Sequence, residues 1–327
     1  MEIQLYLVYI SENIKLIGLY GFRHPFTCQI LINNGEYSFQ TLLLQDNRNT
    51  TTTGSNNQVA QVNQFKKYIG GVLKAGFEGV IFDIDGVLEF QGKVYPGAIE
   101  LLDFLRIRGI TLRILSNSTL KSRRSCTAKL RAKGFNIYES EVVTASFATA
   151  RYLKTLRPKS CWVMLKREGL EEFKDFRHDP ENPEYIVMGD YREDFNFQNM
   201  NKALELLLKG AKLIVMISEL VDNSMGGVEL TVGAYGKMLE DATGIKATFI
   251  GKPNKYIFKE ALKTMDIKRS KILMVGDKIY TDVIGARNVG IQAALVRTGE
   301  FRDRDLDCDI EPDYIFSSIS EIKQLFS

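Results

Sequence analysis

Residues 79–87 run Gly79-Val80-Ile81-Phe82-Asp83-Ile84-Asp85-Gly86-Val87. An apolar, β-branched and aromatic run of this kind forms a strand covered on both faces, as at the centre of a parallel sheet. Two carboxylates one residue apart at its C-terminal end are costly unless something cationic compensates them. Mg²⁺ meets that need, because it takes one or two carboxylates together with waters and a phosphate. Taken alone, the pair also fits a surface ion pair or a calcium site.

From Phe77 onward strands and helices alternate, the pattern of an α/β protein built on a parallel sheet. The strand ending at Asp83 is followed by Pro96 and an amphipathic helix carrying Ile99, Leu101, Leu102 and Leu105. A strand over Thr111-Leu112-Arg113-Ile114-Leu115 follows, with helical periodicity around Leu130 and over 145–153. A second alternating block covers about 157–246, with strands at 161–165, 185–188 and 213–217. The first pattern then resumes with Ala247-Thr248-Phe249-Ile250, Ile272-Leu273-Met274-Val275 and Ala293-Ala294-Leu295-Val296. This order predicts a core in two parts, 76–156 and 247–327, with an inserted domain over 157–246. Residues 1–75 read differently. A hairpin is signalled by Gln29-Ile30-Leu31-Ile32 and Tyr37-Ser38-Phe39 around Asn33-Asn34-Gly35-Glu36. An Asn-, Gln- and Thr-rich tract at 45–64 reads as a flexible tether. The expectation is a small β-rich or disordered N-terminal extension.

The 327 residues carry a net charge of only +3 and no long basic run, so nucleic acid is excluded as an expected partner. Lys121-Ser122-Arg123-Arg124 reads as a solvated helix start. No apolar run approaches the ~20 residues of a membrane span. Cys28, Cys126, Cys161 and Cys308 show neither a disulfide framework nor a zinc spacing, so a cytoplasmic protein with reduced thiols is expected.

The polar residues just past the strands supply what phosphoryl transfer requires: charge neutralisation, an aligned nucleophile and a proton for the leaving oxygen. Asp83 would be the nucleophile that forms an aspartyl-phosphate. Asp85, re-aimed by the turn at Gly86, would protonate the leaving group and later deprotonate water. Ser116-Asn117 offers a hydroxyl and amide groups to phosphoryl oxygens, and Lys252 brings a cation to phosphate and Asp83. Asp277 is placed to share the metal, and Asp282 to brace Lys252 or a metal-bound water. Lys278 and Tyr280 read as exposed loop residues. All of these fall at the carboxyl ends of strands, where ligands bind in open α/β sheets.

Asp83-Ile84-Asp85-Gly86-Val87, Ser116-Asn117, Lys252-Pro253 and Gly276-Asp277 through Thr281-Asp282 resemble the four motifs of the haloacid dehalogenase superfamily. The second acid, Asp85, marks its phosphatases and mutases. The insertion resembles the C2-type cap of the subfamily containing NagD-like and 4-nitrophenyl phosphatases. The resemblance covers about residues 76–327. It implies a Rossmann-like core, Mg²⁺ dependence, an α/β cap over the site, and a homodimer through the cap. It also implies carboxylate ligands from Asp83 and Asp277, the backbone carbonyl of Asp85 as a further ligand, and phosphate held by Ser116, Asn117 and Lys252. Residues 1–75 have no counterpart in the family. Met188-Gly189-Asp190 and the stretch from Phe195 to Ala203 resemble the cap of one branch of that subfamily, but the loop around Val221-Asp222-Asn223-Ser224 lacks the Tyr-Tyr-Lys stretch expected there.

Asp190, Tyr191 and Asn223 are the cap residues expected nearest the site. The substrate stays open among small phosphometabolites, pyrophosphate and phosphoamino acids. A non-catalytic binding module and a phosphomutase are the competing readings. The intact set of motifs argues against the first, and the position and α/β character of the insertion against the second.

Overall fold

The structure is a computed structural model; it describes the backbone of residues 3–11, 14–21, 24–33 and 36–42, and backbone and side chains of 76–222 and 227–326. The chain divides into two units, one ending at Asn63 and the other beginning at Gln64.

The first unit is an antiparallel meander of β1 (Ile3–Ser11), β2 (Ile14–Gly21), β3 (His24–Asn33) and β4 (Glu36–Leu42), in that order. The expected hairpin is the β3–β4 pair, closing at Asn33 opposite Glu36. The polar tract at 45–64 lies outside the described residues.

In the second unit, β5 (Gly79–Phe82) lies inside a six-stranded parallel sheet. Its neighbours are β8 (Thr111–Ser116), β9 (Val142–Thr144), β16 (Ile272–Gly276), β17 (Gln292–Val296) and β18 (Tyr314–Phe316), in the order β18-β17-β16-β5-β8-β9. Alternation along β5 explains its unbroken apolar sequence. Val80 and Phe82 enter one core with Leu101, Leu102 and Leu105 of α1 (Ala98–Ile107) and Leu130 of α2 (Arg123–Ala132). Ile81 enters the opposite core, with Ala148 and Leu153 of α3 (Ala145–Leu156) and Phe258 of a later helix. Burying a side chain such as Phe82 contributes about 1.5–3 kcal/mol, so both faces hold β5 in register. Helix α2 starts where its sequence says it should, with the Ser122 hydroxyl accepting from the Ser125 N–H at 3.1 Å. A short ribbon, β6 (Glu89–Phe90) and β7 (Lys93–Val94), follows the acids of β5.

A smaller parallel sheet, in the order β10-β11-β12-β15, comprises β10 (Cys161–Met164), β11 (Tyr185–Met188), β12 (Lys212–Val215) and β15 (Thr248–Phe249). It packs on α4 (Phe197–Leu208) and α5 (Val232–Thr243) through Trp162, Met164, Ile186, Met188, Ala203, Leu207 and Leu239. A ribbon of β13 (Val221–Asp222) and β14 (Glu229–Leu230) lies between β12 and α5.

One expectation is corrected here. The stretch 247–250 was expected to resume the larger sheet, but β15 pairs with β12, Ile214 opposite Thr248 and Val215 opposite Phe249. The chain returns to the larger sheet only after α6 (Lys255–Leu262), at β16, before α7 (Ile284–Val289). A short apolar run looks the same whichever parallel sheet it joins.

Candidate active site

Asp83 sits one residue beyond β5, and its N–H continues the ladder to the Val275 carbonyl at 3.0 Å. Asp277 sits one residue beyond β16, the neighbouring strand, so parallel pairing delivers the two acids side by side. Asp282 arrives from the π-helical turn Ile279–Val283 that follows. One carboxylate oxygen from each of these buried acids lies within 4.8 Å of the other two.

Lys252, 2% exposed, reaches into this group from just past β15. Its Nζ is 2.7 Å from Oδ1 of Asp83 and 2.7 Å from Oδ1 of Asp282. Oδ1 of Asp83 also accepts from the Ile84 N–H at 2.8 Å. Asp277 Oδ2 accepts from the Glu300 N–H at 2.9 Å, while its buried Oδ1 has no hydrogen-bond partner. Asp282 Oδ2 accepts from the Lys278 N–H at 3.2 Å and the Thr281 hydroxyl at 3.3 Å. Asp282 is thus in contact with Lys252, the first of the two partners considered for it. The close approach depends on glycine: a Cβ on Gly86, at φ 86°, would stand 2.0 Å from Asp277 Oδ2.

Electrostatics follow from three acids facing one ammonium. Burial, opposed by Lys252 and reinforced by Asp282, pushes the Asp83 carboxyl up to about 7. Burial together with the Asp83 and Asp282 charges drives Asp277 well above the carboxylate range. Burial disfavours the Lys252 ammonium, but Asp282 and Asp83 outweigh it and raise its pKa. With its acids ionised the group would carry uncompensated negative charge, and one carboxylate oxygen is orphaned. A divalent cation would relieve both, so the donor set fits a hard, oxygen-seeking metal ion.

Asp85 shares the cavity wall with Asp83. Its side chain is exposed and lines the cavity, and desolvation raises its carboxyl despite nearby Lys121 and Lys129. Ser116, buried at the end of β8, accepts from the Ser118 N–H at 3.1 Å. Asn117 differs from expectation in its side chain. Its Oδ1 accepts from the Lys252 N–H at 2.8 Å, and its Nδ2 donates to the Lys252 carbonyl at 3.2 Å and to Oε2 of Glu219 at 2.7 Å. That amide is spent on the chain around Lys252, leaving the backbone N–H of Asn117 as the group able to meet a phosphoryl oxygen.

A cavity of about 1110 Å³ opens over these residues. The larger sheet contributes Asp83, Asp85, Ser116 and Asn117 to it; the smaller contributes Arg167, Asp190, Arg192, Glu219 and Lys252. The carboxyl ends of both sheets thus face one space. Asp190 lines it and is held 3.2 Å from Arg192, whereas Tyr191 packs edge-on against Phe195 and is not part of the wall. Asn223 lies outside the described residues.

Several wall residues were not legible in the sequence. Lys278, expected as an exposed loop residue, is half-buried, with its Nζ 3.2 Å from Oε1 of Glu219 and 3.0 Å from Oε1 of Glu300. Tyr280 is exposed, as expected. Lys121, read as part of a solvated helix start, lines the cavity with Lys129, which is tied to buried Glu89. No sequence signal singles out Glu219.

A family model described as haloacid dehalogenase-like hydrolase matches residues 80–177, and one described as HAD-hydrolase-like matches 249–322. The chain is 37% identical over 240 residues to phospholysine phosphohistidine inorganic pyrophosphate phosphatase of Rattus norvegicus, covering 71% of this chain and 87% of that protein. It is 35% identical over 245 residues to haloacid dehalogenase-like hydrolase domain-containing protein 2 of the same species, covering 75% and 92%. Among solved structures, 4-nitrophenylphosphatase from Thermotoga maritima superposes with a TM-score of 0.71 at 28% identity, covering 77% of this chain and 97% of that one. NagD from E. coli K-12 superposes with a TM-score of 0.70 at 26% identity, covering 76% and 99%.

Proposed function

Since the chain belongs to the haloacid dehalogenase-like hydrolases and is a phosphatase, we propose that it hydrolyses a small phosphorylated substrate with bound Mg²⁺, through an aspartyl-phosphate on Asp83. The observation that carries this reading is the meeting of Asp83, Asp277 and Asp282 around the Lys252 ammonium at the floor of the cavity.

Asp83 and Asp277, with the backbone carbonyl of Asp85, would hold Mg²⁺, which when bound neutralises phosphoryl charge and aligns the group for in-line attack. An Asp83 oxygen attacks phosphorus, and the bond from phosphorus to the leaving oxygen breaks. Asp85, whose carboxyl is raised by its desolvated setting, gives its proton to that oxygen. The resulting carboxylate then takes a proton from water as the water attacks the acyl phosphate, releasing inorganic phosphate and restoring Asp83. Lys252, the Ser116 hydroxyl and the Asn117 N–H hold the phosphoryl oxygens. Lys252 also keeps Asp83 in place before the substrate arrives.

The smaller sheet acts as a C2-type cap that excludes water and reads the leaving group. It starts near residue 157 and, with β15, runs about three residues further than the sequence pattern suggested. The relatives' names point to phosphomonoesters, phosphoamino acids or pyrophosphate as the substrate range. No helix among the described residues is long and apolar enough to cross a membrane. The unpaired thiols of Cys126, Cys161 and Cys308 are in keeping with a reducing, cytoplasmic setting.

The test is hydrolysis of 4-nitrophenyl phosphate by the native chain and by Asp83→Asn, with and without Mg²⁺. Metal-dependent turnover by the native chain alone is expected. Equal, metal-independent background from both would favour a binding module.

A further inference from the structure

The smaller sheet does more than cover the cavity: one of its carboxylates reaches the machinery below. Glu219 leaves the sheet four residues after β12 and is pinned from behind. Its carbonyl accepts from the hydroxyl of Thr231, the residue that caps α5. The backbone at Gly233 passes so close that a Cβ there would stand 2.1 Å from the Glu219 oxygen. From this anchored position Oε2 accepts from Asn117 Nδ2 at 2.7 Å, and Oε1 from Lys278 Nζ at 3.2 Å.

The contact with Asn117 has a directional consequence. An ionised carboxylate only accepts hydrogen bonds, so the amide must turn its NH₂ toward Glu219. That leaves Oδ1 as the atom facing the Lys252 N–H, which it meets at 2.8 Å. With the amide reversed, two N–H groups would confront each other at Lys252, and Oδ1 would face the Glu219 carboxylate. The observed orientation also lets Nδ2 donate to the Lys252 carbonyl at 3.2 Å, so the Glu219 carboxylate reinforces the amide orientation that grips the Lys252 backbone at both its N–H and its carbonyl. That backbone delivers the ammonium to Asp83 and Asp282, at 2.7 Å from each. The second oxygen works in the same direction on the other flank. Lys278 is held between Glu219 and Glu300, and the Glu300 N–H is the donor on Asp277 Oδ2.

We propose that Glu219 is a positioning residue for phosphoryl transfer, acting through the Asn117 amide to set the place of Lys252 against Asp83. The proposal rests on the phosphatase reading of the Asp83 site. It adds that seating of the smaller sheet and readiness of the phosphate-binding lysine are one event, because the same carboxylate serves both.

The test uses the full chain carrying Glu219→Ala, Glu219→Gln, Asn117→Ala and the double variant Glu219→Ala/Asn117→Ala. Activity is measured on 4-nitrophenyl phosphate with Mg²⁺, and crystal structures are determined for the Glu219 variants. Displacing a catalytic group by about an ångström costs on the order of 100-fold, so kcat/KM of Glu219→Ala is expected to fall by about that factor. Glu219→Gln retains an acceptor for Asn117 and keeps most of the rate. The double variant is no slower than Asn117→Ala alone, because the two residues act in series. A general packing defect would instead give losses that multiply. In crystals of Glu219→Ala the Lys252 N–H leaves Asn117 Oδ1; Glu219→Met, of similar volume, takes its place if the alanine chain does not fold. Multiplying losses, or an unmoved Asn117–Lys252 contact after the carboxylate is gone, would overturn the proposal. Full activity in Asp83→Asn would sink the reading of Asp83 as nucleophile instead, and the crystal comparison would still decide the role of Glu219.

Discussion

Lys252 Nζ stands 2.7 Å from Oδ1 of Asp83, although the lysine follows a strand of the smaller sheet and the aspartate a strand of the larger one. The candidate site is therefore complete only when both sheets are in place. The ion pair is buried on both sides, so its members depend on each other far more than a surface pair would.

Replacing Lys252 tests that dependence. Lys252→Met removes the cation aimed at the phosphoryl group, and loss of one such donor lowers kcat by about 10²–10³. It also leaves Asp83 and Asp282 facing each other without compensation, a defect that costs about 3–5 kcal/mol in buried pairs. Chemical denaturation without Mg²⁺ should show the destabilisation, and added Mg²⁺ should recover part of it. A variant as stable as the native chain in metal-free buffer would contradict this.

Asp85 is assigned a proton-donating role, and its importance should scale with how badly the leaving group needs a proton. Asp85→Asn should therefore lose much more rate on an alkyl phosphate than on 4-nitrophenyl phosphate, whose phenolate leaves unaided. Equal losses on the two esters would remove Asp85 from the leaving-group step.

Acidity and metal should compete. Without a cation, burial pushes the Asp83 carboxyl up to about 7, so below that pH a proton occupies the group that a metal would otherwise use. A bound cation favours the charged form and moves the titration down. The Mg²⁺ concentration giving half-maximal activity should thus rise as pH falls below about 7. A half-saturation point independent of pH from 5 to 7 would speak against Asp83 as a ligand; initial rates across that window at graded Mg²⁺ measure it.

Gly86→Ala should be disproportionately harmful for so small a substitution. The new Cβ would fall 2.0 Å from Asp277 Oδ2, at a φ of 86° that L-residues adopt at a cost of roughly 1–2 kcal/mol. Weakened metal activation together with a lower thermal midpoint is expected. Gly92→Ala, where φ is also positive but no atom lies within 4 Å, should share the backbone strain and its lower thermal midpoint while metal activation stays native.

The strand-end acids were legible because two signals coincide at each. Around Asp83 and Asp277 an unbroken apolar run announces a strand covered on both faces, and a polar residue at its end announces the sheet's working edge. The hairpin of the first unit was legible from Asn34-Gly35 between two apolar runs, and β3 pairs with β4 around it. Other features depend on contacts that no local pattern encodes. The two residues of β15 carry no mark of the sheet they join, so Lys252 was read onto the wrong one. Asn117 looked free to bind phosphate because nothing nearby in sequence shows that Lys252 and Glu219 would take both ends of its amide. Lys278 looked exposed because Glu219 is 59 residues away in the chain.

The most direct test of the account is chemical quenching during turnover of 4-nitrophenyl phosphate with Mg²⁺, followed by mass spectrometry of the peptide containing Asp83. The account predicts one phosphoryl group on Asp83, labile to hydroxylamine and absent from Asp83→Asn. Rapid turnover with no phosphoryl group on that peptide, or with the group on another residue, would contradict it.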